Sequence, residues 1–272
     1  MSSLSISKAW DESVAFINRE VRLVFPLALA FFMLPQVVMG WAQPGGAGAE
    51  GGLGALSTLV LLLLVVVGQL SIVRLAIGWD GSVGGAISRA ARRMWPYLAA
   101  TILIYIPLLV IGLLVLSAIV GANGLTDPTQ ITPERLAAMP SVSIAILALV
   151  VAAVAVAARL LPMSAATAAE DLGPFKLLKR VFALSKGHFW KLLAVLVMVG
   201  VLSLVIDIAA QAVGGSLTTL SLGTPAPFNL SALIVAILKG FVGAAASSIA
   251  AILTGRIYVQ LATQTHVPDV DR

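Results

Sequence analysis

The chain has 272 residues, of which 60% are hydrophobic and 11% charged, and its mean hydropathy is +1.04. An average soluble domain carries about 25% charged residues, so this composition excludes a water-soluble fold. Lys and Arg number 17 against 12 Asp and Glu, giving a formal net charge of +5, and the lack of cysteine excludes a disulfide scaffold, a thiolate metal site and a cysteine nucleophile.

A helix needs about 20 mostly apolar residues to cross a bilayer. Six stretches have that length: 21–41, 56–79, 94–121, 142–165, 189–213 and 233–263. The first exceeds a signal-peptide core, follows acidic residues and lacks a convincing cleavage site, so it is expected to remain as an anchor. Ahead of it, Trp10, Val14, Ile17 and Val21 form one stripe of a helical period, opposite Asp11, Glu12, Asn18 and Arg19. The Gly-rich connection 42–55 carries one charge, Glu50.

A second amphipathic segment precedes the third span, with Val83, Ile87, Ala90 and Met94 opposite Arg89, Arg92 and Arg93. In the connection 122–141, Thr132 is placed to cap a short helix, with Pro133 at its first position and Glu134 in its first turn. A third amphipathic helix starts at Gly173-Pro174, shows a broad apolar face of Phe175, Leu177, Leu178, Val181, Phe182 and Leu184, and stops at Gly187. Such helices lie in the interface and do not cross it. Pro35 and Pro107 fall within spans, and Trp41, Trp79, Trp95 and Trp190 fall at span ends as an aromatic belt.

Basic residues near span ends are retained in the cytoplasm. Fifteen of the 17 fall on one side: Lys8, Arg19, Arg22, Arg74, Arg89, Arg92, Arg93, Arg159, Lys176, Lys179, Arg180, Lys186, Lys191, Arg256 and Arg272. Arg135 alone falls on the other, and Lys239 lies within the sixth span. Both termini are therefore expected in the cytoplasm, and the membrane is expected to be a bacterial inner membrane. An offset of 70 pairs Ile17 with Ile87, Arg19 with Arg89, Arg22 with Arg92, Phe25 with Trp95 and Pro26 with Pro96. An offset of 91 then pairs Arg89 with Arg180, and after four further residues Trp95 meets Trp190. The expected architecture is an all-α membrane domain over 1–272, with repeats 4–79, 82–165 and 173–263, each an amphipathic cytoplasmic helix followed by two spans.

The run Arg159-Leu-Leu-Pro162, Glu170-Asp-Leu-Gly173-Pro174, Leu178-Lys-Arg180 and Leu184-Ser-Lys-Gly-His-Phe-Trp190-Lys-Leu-Leu193 resembles the membrane-domain family of glycerophosphoryl diester phosphodiesterases and its stand-alone six-span bacterial relatives. Val181 and Ser185 depart from the Ser and Thr that this family often has there. The resemblance implies an integral membrane architecture. The soluble phosphodiesterase barrel that some relatives carry needs roughly 250 residues, and nothing of that length remains outside the spans. His188 and His266 are the only imidazoles, and neither has a second His at metal-ligand spacing. No catalytic residues, metal or other cofactor are expected.

Ionisable residues inside a span are candidates for function. Arg74, Arg159 and Arg256 recur once per repeat near the ends of returning spans, and either converge on one phosphate or snorkel separately. With Arg89, Arg92, Arg93, Lys176, Lys179, Arg180 and Lys186 they form the candidate set for anionic lipid, alongside the alternative that all are topology signals. Asp207 and Lys239 lie at similar depth in spans five and six and form a candidate ion pair. Gly243, Ser247, Ala251 and Gly255 make a small-residue ladder for close helix packing. The expected function is a non-catalytic membrane protein that binds or organises anionic phospholipid, or supports a partner protein or a second copy at that face. The alternative is a transporter of an amphipathic, lipid-like substrate. Nucleic-acid binding is not expected.

Overall fold

The computed structural model describes residues 4–43, 52–78, 81–123, 132, 135 and 139–265, with only the backbone described at 52, 53, 217–222, 264 and 265. Glu50, Trp79, Pro133, Glu134, His266 and Arg272 lie outside the described residues. Thr132 Oγ1 accepts a hydrogen bond from the Arg135 backbone N–H at 3.3 Å. That is the bond a capping threonine makes to the third residue of a helix.

The described residues are helical throughout their ordered elements, and six helices are long and apolar enough to cross a membrane. Helix α1 (Ile6–Ala28) is capped by Ser5, whose side chain accepts from the Lys8 backbone N–H. Its backbone departs from helical geometry at Glu20, with φ −111° and ψ 18°. Pro26 lies inside α1 and supplies no N–H to the ladder. A π-helical turn follows at Leu29–Met33 and runs into α2 (Leu34–Ala42). Then come α3 (Gly52–Gly78), α4 (Val83–Ala122), α5 (Pro140–Leu160) and the short α6 (Met163–Ala169). Helices α7 (Pro174–Ser185), α8 (Phe189–Leu222) and α9 (Leu230–Thr265) complete the bundle.

The amphipathic segments differ from the sequence expectation in a physical way. The first two continue into their spans within α1 and α4, which carry Pro26 and Pro96 inside the helix, and α1 does so across the departure at Glu20. The third alone stands apart, because the chain turns at Gly187 in a left-handed conformation, φ 83°, before α8 begins. The buried stripe of α1 is Ala9, Ser13 and Phe16, while Val14 and Val21 are 41% and 48% exposed. The apolar face of α7 also divides. Leu177, Leu178, Val181 and Leu184 are buried, and Phe175 and Phe182 face outwards.

Helix α9 packs against α8, α2, α3 and α1 and forms the centre of the bundle. A Cβ placed on Gly255 would stand 3.1 Å from Ala76 Cβ and 3.4 Å from the Val73 carbonyl oxygen, which measures how closely α9 approaches α3. The main core lies at the arginine-rich end. It joins Val73 and Ala76 of α3, all of 163–168 except its polar members, Leu177 and Val181 of α7, and Ile252, Ile257 and Leu261 of α9. Towards the opposite end large apolar side chains face outwards. Leu109, Leu113 and Leu114 of α4, Leu147 and Val151 of α5, and Leu204 and Val205 of α8 are all exposed. A continuous apolar exterior of this kind is the surface that hydrocarbon covers. At that far end the Phe228 N–H donates to the Trp41 carbonyl at 3.0 Å and the two rings stack edge to face, which ties α9's start to the end of α2.

Candidate functional site

The arginine-rich end is organised around the segment between α6 and α7. Helix α6 is short and buried, so its last carbonyls cannot reach water, and the chain leaves it extended at Glu170. Those carbonyls carry the negative end of the helix dipole and attract cations. Arg74 Nη1 donates to the Ala168 carbonyl at 2.9 Å. Arg93 donates from Nε to Thr167 at 3.4 Å and from Nη2 to Leu172 at 3.2 Å, and Nη2 also reaches the Glu170 carbonyl. A planar guanidinium suits this task because its five N–H groups diverge in a fixed fork.

The two acids that follow α6 take the remaining charge. Arg89 Nη2 lies 3.0 Å from each oxygen of the Asp171 carboxylate, and Arg93 Nη1 lies 3.5 Å from Oδ1. Arg180 of α7 donates from Nε to Glu170 Oε1 at 3.0 Å, and the Tyr258 hydroxyl of α9 donates to the same oxygen at 2.6 Å. Thus α3, α4, α7 and α9 are all fastened to one turn of chain. Chemically the arrangement is a clasp, since both carboxylates are already engaged by fixed cations.

The candidate cations therefore divide. Arg74, Arg89, Arg93 and Arg180 have partners within the clasp. Arg159 and Arg256 instead lie against rings, with Cζ 5.6 Å from the Phe189 centroid and 5.2 Å from the Phe16 centroid. Arg74 thus reaches a carbonyl, while Arg159 and Arg256 lie against two different aromatic rings. Arg92, Lys176, Lys179 and Lys186 are exposed. They share this end with Trp95, Phe175 and Trp190, which are 63%, 73% and 77% exposed.

Asp207 and Lys239 do come together, with Nζ 3.3 Å from Oδ1, and Gln211 Nε2 donates to Oδ2 at 2.7 Å. Both members are partly exposed, and Lys239 borders two cavities of about 210 and 530 Å³. Gln36 and Ser247 line the smaller, and Gln43 and Gln211 the larger. The small-residue ladder of α9 turns inwards. Gly243 receives the Gln36 side chain, Ala251 is buried, and Gly255 meets α3.

Sequence reasoning did not identify Glu170, Asp171 and Tyr258 as acceptors and donor of the clasp. Two adjacent acids inside a connection otherwise rich in Lys and Arg were the available signal. The last carbonyls of α6 had none, since their donors, Arg74 and Arg93, come from residues far along the chain.

No curated protein and no solved structure matches the chain. The family described as a domain of unknown function (DUF7847) matches residues 13–266, and the chain belongs to that family.

Proposed function

We propose that this chain is a non-catalytic membrane protein that gathers anionic phospholipid head groups at its arginine-rich end, where it also offers a surface to a partner protein. The observation that carries this reading is the outward face of α7. Phe175 and Phe182 project there beside exposed Lys176 and Lys179, with Lys186 and Trp190 just beyond. Apolar rings that reach into the acyl boundary beside cations at head-group level are the signature of an interfacial helix. Each such Lys near the surface contributes about 1 kcal/mol towards anionic lipid. The clasp supports the same reading in one respect, because it fixes α7 on the bundle through Arg180, and it leaves the exposed lysines of α7 rather than Arg89 and Arg180 to meet lipid phosphate.

In this reading the arginine-rich end is cytoplasmic, both termini lie there, and the membrane is a bacterial inner membrane. Three repeats build the bundle. Support for the repeat comes from matched breaks and anchors: Pro26 and Pro96 both sit inside helices, and Trp95 and Trp190 are both exposed.

The test is native mass spectrometry of the full chain in nanodiscs containing phosphatidylglycerol and phosphatidylcholine. Lys176→Gln, Lys179→Gln and Lys186→Gln combined should lower retained phosphatidylglycerol at least threefold, and raised salt should do the same to the wild type. Equal retention in the triple variant contradicts the reading. A second reading, transport of an amphipathic substrate, is favoured by the 530 Å³ cavity beside Lys239. It requires a second conformation in which that cavity deepens between the helices.

A further inference from the structure

Polar side chains on α4 follow one another at four-residue steps. Arg93, Tyr97, Thr101 and Tyr105 share one helix face, and Tyr105 stands about 18 Å along the axis from Arg93. Tyr97, Thr101 and Tyr105 line a cavity of about 250 Å³, with Gln69 of α3, Ser164 of α6 and Thr254 of α9. At about 30 Å³ for each water, that space takes roughly eight water-sized groups. The rest of its wall is apolar and comes mainly from α5, α8 and α9.

Two of the hydroxyls are already spent. Thr101 Oγ1 donates to the Tyr97 carbonyl at 2.9 Å and Thr254 Oγ1 to the Ala250 carbonyl at 2.8 Å. Ser164 differs: it is 3% exposed, and its Oγ has no hydrogen-bonding partner among the described residues. Buried hydroxyls are nearly always satisfied, so this one points to a polar group received in the cavity.

The chemistry of that group follows from the lining. Among the described residues no ionised side chain borders the cavity. Arg93, a turn away from Tyr97, is committed to three carbonyls and Asp171. A charged head group would be desolvated there without a counter-charge, which is strongly unfavourable. Tyr105 is 39% exposed on the apolar flank of α4, so the cavity reaches the surface that hydrocarbon covers. A ligand arriving from that side is amphipathic.

We infer that this cavity binds the uncharged head of a neutral glyceride, with its free hydroxyl and ester carbonyls facing Ser164, Gln69 and the two tyrosines and its acyl chains lying along α4. The site is separate from the α7 surface, and either can fail without the other.

The test uses the full chain in phosphatidylcholine nanodiscs, labelled with a diacylglycerol carrying a photoactivatable acyl chain and mapped by mass spectrometry. Labelling should fall on α4, α6 or α9 residues that line the cavity. Excess dioctanoylglycerol should reduce it at least tenfold, and dioctanoyl phosphatidic acid should compete at least tenfold less well. Ser164→Leu, which fills the cavity, should abolish the competable labelling, and the milder Ser164→Ala should weaken competition about threefold. Labelling that dioctanoylglycerol does not displace overturns the proposal. So does equal competition by phosphatidic acid, or unchanged competition in Ser164→Ala.

Discussion

Glu170 Oε1 accepts from both Arg180 and Tyr258, and its side chain is 25% exposed, so water does not fully replace this acceptor if the carboxylate is removed. Glu170→Ala leaves a half-buried guanidinium and a phenol without their acceptor. Hydrogen bonds to a charged group contribute about 1.5–3 kcal/mol each, and we expect a loss of about 2–3 kcal/mol for this variant in detergent unfolding. Tyr258→Phe removes a single donor and should cost about 1 kcal/mol. Because the two residues share one oxygen, the double variant should be less damaged than the sum by about 1 kcal/mol. Strict additivity would show that the phenol and the carboxylate do not interact in solution.

At the scale of elements, α9 makes close approaches through its small residues, and these are not equivalent. A Cβ on Gly240 would lie 2.8 Å from Val37 Cγ2 and 3.2 Å from the Met33 carbonyl oxygen, one a stiff β-branched side chain and the other backbone. A Cβ on Gly243 meets only the end of the Gln36 side chain, which can swing aside. Gly240→Ala should therefore destabilise by about 1–3 kcal/mol through overpacking. Gly243→Ala should be near neutral, since the helix-propensity gain of about 1 kcal/mol offsets moving an amide. Thermal unfolding of the two variants in one detergent checks the order, and equal losses would contradict the packing described for α2 against α9.

The same helices show what a single sequence conveys. Length and hydropathy located the spans, because an apolar run long enough to cross a bilayer has few other fates. The pairing of Asp207 with Lys239 was also legible, since equal depth on consecutive spans brings them together. The clasp was not, because Arg74, Arg89, Arg93, Arg180 and Tyr258 reach Glu170, Asp171 and the α6 carbonyls across separations that no local period encodes. Periodicity also misjudged α7. It merged two apolar faces into one, and only tertiary packing divides Leu177 and Val181, which are buried, from Phe175, which is not.

For the molecule as a whole, the proposed function requires one end to be a rigid, internally neutralised platform whose remaining cations and rings meet the membrane surface. Helix α7 is the element on which this depends. The chain has no cysteine, so single cysteines introduced as Phe175→Cys or Phe182→Cys carry a spin label at one known position each. Electron paramagnetic resonance accessibility in phosphatidylglycerol vesicles then reports where the outward face of α7 lies. Both labels are predicted to favour oxygen over a water-soluble nickel chelate, placing them at acyl depth. Free access of the chelate to both positions would contradict the account.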